Sequence, residues 1–148
     1  MLYPITQRPN RGFTLIELLV AMAILSLLLT IAYPHYTNIA QKVRRSDAQE
    51  SLFFYQTKLT RCYLQTLDYA PCLATLALDN GRDIASLENH YVLTATLENH
   101  NVILEATTSV QSPQAQDVPC QRFRLNQYSE MQAYTADGAS NTQVCWGI

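Results

Sequence analysis

One acidic residue lies inside an otherwise apolar segment near the start of the chain. Residues 13–33 read FTLIELLVAMAILSLLLTIAY, a run of 21 residues without glycine or proline in which Glu17 is the sole charge. An ionised carboxylate in apolar surroundings costs up to roughly a few kcal/mol, less near an interface, so Glu17 is a candidate functional group. Its chemistry could be proton transfer, as in an acid–base catalyst, or pairing with a cation.

The four cysteines indicate covalent cross-links rather than a metal site. They are Cys62, Cys72, Cys120 and Cys145, and none forms the closely spaced pair that zinc sites use. An even number of cysteines after an export-type apolar segment is typical of disulfides in an oxidising compartment. Three pairings are open, and we favour Cys62 with Cys72 and Cys120 with Cys145 because each pair is nearest in sequence. By chain entropy these bonds would contribute roughly 3 and roughly 3.5 kcal/mol.

The sequence carries no residue constellation typical of an enzyme. His35, His90 and His100 are scattered, and the chain has neither a Gly-rich phosphate loop nor a nucleophile elbow. We interpret the histidines as surface or loop residues rather than ligands. We therefore expect no enzymatic activity, no catalytic or cofactor-binding residues, no cofactor and no bound metal.

The charge distribution argues against a dedicated nucleic-acid surface. The net charge is −2, whereas nucleic-acid binding needs clustered positive charge. Arg122 and Arg124 share one face of a predicted strand and Tyr128 follows nearby, which makes the two arginines candidate DNA contacts. We prefer the simpler interpretation that they form the solvated side of a sheet.

The apolar run is long enough to cross a membrane. At 1.5 Å per residue it spans about 31 Å, and Arg8 and Arg11 before it favour a cytoplasmic N-terminus. A cleaved secretory signal and a plain single-span anchor are the competing interpretations. The run is long for a signal peptide and no small-x-small cleavage site follows it. Neither interpretation explains Glu17.

Residues 11–20, RGFTLIELLV, resemble the signature of type IV prepilins and pseudopilins. The resemblance implies that a prepilin peptidase cuts between Gly12 and Phe13 and that the new amino group of Phe13 is N-methylated. It also implies that Glu17, one helical turn after Phe13, meets the N-terminal amine of a neighbouring subunit during assembly. A carboxylate and an ammonium neutralise each other where neither is well solvated, and glycine leaves the backbone open to the peptidase.

This resemblance divides the chain into a leader peptide at 1–12, a transmembrane and filament-core helix at 13–33, and a periplasmic globular domain at 34–148. Pro34 is expected to kink or locally melt the helix. The helix either ends there, at the membrane boundary, or continues to about Leu64, which we favour. An apolar stripe favours continuation, and we expect it to be buried against the sheet: Ile39, Val43, Ala48, Leu52, Tyr55 and Leu59. The charged residues expected to lie mostly off this stripe, facing solvent or neighbouring subunits, are Lys42, Arg44, Arg45, Asp47 and Glu50.

The second half of the chain predicts an α+β fold in which the long helix packs against a four-stranded antiparallel sheet. Alternation of apolar and polar residues and enrichment in β-formers support this sheet. The strands are predicted at 91–97, 102–107, 120–126 and 131–135, with a turn at 98–101 and irregular structure at 65–90. A Gly/Ser/Asn loop is predicted to lead from the last strand to Cys145-Trp146.

The globular part is similar, more loosely, to the PilE-type and ComP-like minor pilins. The matching features are Arg45 with Asp47-Ala48, Tyr91-x-Leu93 followed by Ala95, Asp117-x-x-Cys120, and the closing Cys145-Trp146. That subgroup usually has a glycine in the turn at 127–130, where this chain has Gln-Tyr-Ser-Glu. The resemblance implies a disulfide-bound C-terminal region that is exposed on the filament.

Together the resemblances imply a minor pilin of a type IV pilus that serves pilus assembly and the pilus-dependent functions of twitching motility, adhesion and DNA uptake. The expected partners are other pilins of the filament, the prepilin peptidase/N-methyltransferase, the inner-membrane assembly platform and inner-membrane lipid, whereas DNA is not favoured. The protein is expected in the bacterial inner membrane, with a periplasmic domain, before assembly, and in the pilus at the cell surface afterwards. Two alternatives stay open: a DNA-binding uptake-receptor pilin and a type II secretion pseudopilin.

Overall fold

The computed structural model describes residues 12–148. Most of the predicted leader, residues 1–11 with Arg8 and Arg11, therefore lies outside the described residues. The described chain forms two units, one ending at Asn38 and the other running from Ile39 to Ile148.

Helix α1, Leu15–Thr66, comprises 52 residues and begins in the N-terminal unit. Its apolar side chains there are exposed, and it is long and apolar enough to cross a membrane. The helix is unbroken at Pro34, so the predicted local melting does not occur. The hydroxyls of Ser26 and Thr30 donate to the carbonyls three residues before them, at 2.9 and 2.7 Å. These bonds satisfy polar groups that a bilayer would leave without partners.

The globular unit contains the remainder of α1, two short helices and one sheet. Its other elements are β1 Ile84–Ala85, β2 Tyr91–Glu98, β3 Asn101–Thr108, β4 Arg122–Asn126, β5 Met131–Tyr134, and the helices α2 Ala70–Thr75 and α3 Thr142–Trp146. The sheet is antiparallel throughout, in the order β1-β2-β3-β4-β5. The predicted α+β class is confirmed.

The predicted strand count was wrong, because the sheet has five strands rather than four. The additional strand is β1, whose two residues pair with Val92 and Leu93 and are too few to show an alternating pattern. Helices α2 and α3 also lie in stretches that we predicted as loop. Helices this short are marginal in isolation, and each of these two contains a cysteine that is bonded elsewhere in the fold.

The core lies between one face of α1 and the sheet. From α1 it receives Ala48, Leu52 and Leu59, which are almost completely buried. Ile39 and Val43, predicted on the same stripe, are 49% and 64% exposed. That part of the prediction was wrong because the buried part of α1 begins only at Arg45.

Both disulfides join the pairs that proximity in sequence favoured. Cys62 is bonded to Cys72 and Cys120 to Cys145, with Cα–Cα distances of 5.8 and 5.5 Å. The first bond ties α2 to the end of α1. The second ties α3 to Cys120, two residues before β4 begins.

Two tight turns place non-glycine residues in the left-handed region. Asn99 and His100 connect β2 to β3 with φ of 48° and 66°, as a two-residue type I′ turn requires. Ser129, in the turn at 127–130, has a φ of 64°. The serine hydroxyl accepts a hydrogen bond from Gln56 Nε2 at 2.9 Å, which holds the turn against α1.

Candidate functional site

Glu17 lies in the first turn of α1, beside the residue that begins the helix. Thr14 precedes Leu15, the first helical residue, and its Oγ1 accepts a hydrogen bond from the Glu17 amide at 3.3 Å. This is one half of a capping box, the Thr-x-x-Glu arrangement that satisfies free amides at a helix start. A carboxylate at this position also interacts favourably with the helix dipole. Sequence reasoning singled out the acid but missed the Thr14-x-x-Glu17 capping signal.

The cap does not use the charge of Glu17, since only its backbone amide takes part in the hydrogen bond with Thr14. The side chain is exposed and makes no ion pair with any residue in the range 12–148. A carboxylate in this position can therefore accept an ammonium group from another chain. The apolar residues around it are all exposed. When another chain packs against them, water is largely excluded from such an ion pair.

The residues on either side of the predicted cleavage point are open to approach. A Cβ atom added to Gly12 would meet no atom within 4 Å, and Phe13 is 85% exposed. Nothing in the described part of the chain, residues 12–148, therefore demands glycine at position 12.

A buried ion pair links α1 to the loop before β4. Arg45 donates through Nε and one terminal nitrogen to the two carboxylate oxygens of Asp117, at 2.7 and 2.8 Å. The side chains are 10% and 0% exposed. The hydrogen bond to Asp117 is the main cause of the raised pKa of the Arg45 guanidinium, and this bidentate geometry is the strongest that a protein ion pair adopts.

Gln114 extends this ion pair towards the sheet. Its Nε2 donates to Asp117 Oδ2 at 2.7 Å and to the Tyr91 hydroxyl at 3.0 Å, and lies 3.3 Å from the Gln41 carbonyl oxygen. Burial is the main cause of the raised pKa of Tyr91. The network thus holds the neutral phenol of β2 against the loop that carries Asp117.

Asp47 forms a second buried contact on the same helical turn. Its carboxylate accepts from the Ser86 hydroxyl at 2.5 Å and from the amides of Glu88 and His90 at 3.0 and 3.1 Å. Ser51 Oγ lies 3.4 Å from the same carboxylate. The segment between β1 and β2 is therefore wrapped around one acidic side chain of α1.

The prediction that Arg45 and Asp47 face solvent or neighbouring subunits was wrong, because both are at most 9% exposed. Periodicity assigns charged residues to the outside, whereas these two charges are buried with matched partners. One sequence signal could have indicated that these two charges are buried. It was the pattern of Arg45 with Asp47-Ala48, together with Asp117, on which the resemblance to minor pilins rests. We call Arg45, Asp47, Gln114 and Asp117 the polar clamp.

Arg122 and Arg124 lie on one face of β4, as predicted, but both face an acid. Arg122 Nε is 3.7 Å from Glu105 Oε1, and Arg124 pairs with Glu105 Oε2. The pair with Glu105 is the main cause of the raised pKa of Arg124. Both guanidinium groups also lie over the ring of Tyr134, at 5.8 and 5.6 Å. Their positive charge is therefore partly neutralised within the sheet.

The outer surface of α1 in the globular unit carries exposed aromatic residues. Phe53 and Phe54 are 39% and 43% exposed, and Lys58 Nζ lies 5.3 Å from the centre of the Phe54 ring. The far side of Phe53 packs edge-on against Trp146 at 5.9 Å. This aromatic strip is therefore packed on its inner side, through Phe53, and uncovered on its outer side.

The histidines do not converge. His35 and His100 are exposed, and His90 Nδ1 lies 3.0 Å from Ser112 Oγ. Within residues 12–148 no group of three or more His, Cys, Asp or Glu side chains is arranged to hold a metal ion.

Comparison with known proteins gives matches in both halves of the chain. Residues 7–33 match the family described as prokaryotic N-terminal methylation motif. Residues 34–124 match the family described as type IV minor pilin ComP, DNA uptake sequence receptor. Over 56 residues the chain is 38% identical to prepilin peptidase-dependent protein D of Escherichia coli strain K12, and this segment covers 38% of each protein.

These matches confirm the resemblance that residues 11–20 and the globular part suggested. Pilin families consist of structural proteins that are processed from prepilins and associate with other pilins. The methylation motif and the exposed apolar helix fit anchoring in a membrane before assembly. Since the second match spans more than half of the chain, this protein belongs to the ComP family and is a type IV minor pilin.

Proposed function

We propose that, before assembly, this minor pilin is anchored in the bacterial inner membrane with its globular unit in the periplasm. It is incorporated into a type IV pilus when Glu17 pairs with the terminal amine of a neighbouring pilin. It then contributes to pilus assembly and to pilus-dependent functions at the cell surface. The observation that supports this is the lone exposed carboxylate in the first turn of an apolar helix.

The order of events follows from the chemistry of the N-terminus. Cleavage between Gly12 and Phe13 creates an amine four residues before Glu17, and methylation of Phe13 leaves that amine positively charged. In one chain the amine and the carboxylate lie at the same end of the helix. A neighbouring helix at a matching level brings its own amine to Glu17, so pairing favours one axial stagger of the subunits.

The experiment separates the charge of Glu17 from its position in the capping box. Glu17→Gln keeps a side chain that a capping box accepts but removes the charge, whereas Glu17→Asp keeps a charge on a shorter side chain. We expect Glu17→Gln and Glu17→Ala to lower the amount of the protein in sheared filaments by about tenfold or more. Glu17→Asp should retain more than either.

Processing and folding must be measured in the same strains. Mass spectrometry should find methylated Phe13 at the mature N-terminus of wild type and of the Glu17 variants, and an unprocessed chain only when Gly12 is replaced by a large residue. Normal incorporation of Glu17→Gln into filaments would show that the charge is dispensable. A mature N-terminus other than methylated Phe13 would refute the proposed processing.

The aromatic strip of α1 suits a second contact with a neighbouring pilin. Phe53 and Phe54 together with Lys58 leave an apolar surface of helix uncovered, and aromatic residues are enriched where protein interfaces are buried. A pilin with an apolar helix surface is the partner that this strip fits, because α1 of the next subunit presents the same kind of surface.

DNA binding is a second candidate function, because the matching family is described as a DNA uptake sequence receptor. Arg122 and Arg124 are candidate contacts, but Glu105 takes up part of their charge. We therefore favour the structural role. A mobility-shift assay with the full-length protein in detergent decides the matter: salt-sensitive binding of duplex DNA that Arg122→Ala/Arg124→Ala weakens would support the receptor role, and no binding would exclude it.

A further inference from the structure

A polar groove of about 320 Å³ lies at one end of the sheet, where β3 begins and the β4–β5 turn approaches it. Its walls carry the amide side chains of Asn101, Gln127 and Gln132, the ring of Tyr128, and Arg124. The volume is within the range of small-ligand sites, which are about 300–1,000 Å³.

The amides of this groove are held in fixed orientations. Gln127 Oε1 accepts from the Val102 amide at 2.5 Å, and Gln127 Nε2 donates to Asn101 Oδ1 at 2.8 Å. Gln132 Oε1 accepts from the Tyr134 hydroxyl at 2.9 Å. Within residues 12–148, Asn101 Nδ2 and Gln132 Nε2 have no hydrogen-bond partner. The groove therefore offers oriented donors to a ligand that carries oxygen acceptors.

The Tyr128 side chain is exposed, but hydrogen bonds hold the turn that carries it. Its side chain is 72% exposed, while its backbone amide donates to Asn126 Oδ1 at 2.9 Å. Gln56 of α1 donates to the Asn126 carbonyl at 3.0 Å and to Ser129 Oγ at 2.9 Å. The Tyr128 ring is thus a large, partly apolar surface on a turn that is hydrogen-bonded to α1.

The groove carries no surplus positive charge. Arg124 pairs with Glu105, and Glu130 Oε2 accepts from Asn126 Nδ2 at 2.5 Å. A groove without surplus positive charge does not favour a phosphate backbone. It suits a neutral ligand that combines an apolar face with several hydroxyl groups, and a sugar ring has both.

We propose that this groove binds a neutral oligosaccharide. The Tyr128 ring packs against the C–H face of one sugar, and the amides of Asn101, Gln127 and Gln132 hydrogen-bond its hydroxyl oxygens. The inference goes beyond the structural role of the pilin, because it assigns a ligand to this groove.

The test uses the full-length protein in detergent micelles and an array of neutral oligosaccharides that end in galactose, glucose or an N-acetylhexosamine. Sialylated forms and a short duplex DNA serve as charged probes. The tightest neutral ligand is then titrated by calorimetry into wild type, Tyr128→Ala, Tyr128→Trp and the control Val110→Ala, which alters a residue that is 92% exposed elsewhere on the surface.

We expect Tyr128→Ala to weaken binding by about tenfold or more, since stacked aromatic residues contribute heavily at binding sites. Tyr128→Trp and Val110→Ala should stay near the wild-type affinity, and binding should not change between about 50 and about 300 mM salt. Failure of every neutral oligosaccharide to bind, equal binding by Tyr128→Ala, or salt-sensitive binding of the DNA in the same groove would overturn the proposal. Incorporation of Tyr128→Ala into filaments tests the assembly role separately.

Discussion

Replacing Asp117 by alanine should destabilise the globular unit strongly. The substitution removes both carboxylate oxygens that Arg45 contacts, at 2.7 and 2.8 Å, and the oxygen that accepts from Gln114. It leaves a guanidinium group that is 10% exposed without its partner. Breaking a buried ion pair in this way costs about 3–5 kcal/mol.

Arg45 has no way to avoid this cost by losing its charge. An arginine stays protonated in proteins, and in the wild type the hydrogen bond to Asp117 raises its pKa further. The variant must therefore either keep an unpaired buried cation or move the side chain into water. Moving it would open the contact between α1 and the loop before β4, so both outcomes lower the free energy of unfolding.

The assay is urea unfolding of the full-length protein in detergent with both disulfides intact, followed by the fluorescence of Trp146. That residue is the sole tryptophan of the chain, is 8% exposed, and donates from Nε1 to the Gln132 carbonyl at 3.0 Å. With a denaturant slope of about 1.5 kcal/mol per molar urea, the midpoint should fall by about 2–3 M.

A double variant separates the ion pair from general damage to the loop. Arg45→Met/Asp117→Leu removes both charges and keeps apolar volume, and such replacements are often neutral or stabilising. It should be more stable than Asp117→Ala alone. The reasoning is refuted if Asp117→Ala loses less than about 1 kcal/mol, the scale of an ordinary exposed pair, or if the double variant is no better than the single one.

Three further variants test other parts of the fold by the same unfolding assay. Burial raises the pKa of Tyr91 above its usual value of about 10. The stability that the neutral phenol contributes is therefore fully present below pH 10 and is lost as the pH rises towards the folded-state pKa. The free energy of unfolding should fall by about 1.4 kcal/mol at pH 11, and Tyr91→Phe should not show this loss. His100→Gly should stabilise the protein by about 1 kcal/mol, because His100 has a φ of 66° in a turn that favours glycine. Cys120→Ser/Cys145→Ser should cost about 3.5 kcal/mol by opening a loop of 25 residues, and a loss below about 1 kcal/mol would contradict the assumed pairing role.

The parts of the fold that local pattern specifies could be predicted from the sequence. Strands β2 and β3 alternate clearly, and a polar turn separates them, so both were located to within a residue or two. The apolar run and its single acid indicated the membrane-anchoring helix. Strand β1 could not be found in this way, because two residues that pair with Val92 and Leu93 carry no pattern of their own.

The polar clamp was missed for a different reason. Arg45 and Asp117 are 72 residues apart in sequence, and Asp47 and Ser86 are 39 apart. Helical periodicity describes only neighbours within a few turns, so it cannot show that a charged residue has a distant partner. The resemblance to minor pilins marked Arg45, Asp47 and Asp117, but without a structure nothing connected the three.

The two contacts of the polar clamp lie two positions apart on α1, and they hold different loops. Arg45 holds the loop before β4, whereas Asp47 holds the segment between β1 and β2. An apolar stripe alone allows a helix to shift along a sheet, because neighbouring apolar residues can replace one another. A shift of one residue would rotate the helix by about 100° and would leave both charges without partners. We infer that the polar clamp fixes the register of α1 on the sheet, and that Arg45→Met/Asp117→Leu recovers stability at the expense of this specificity.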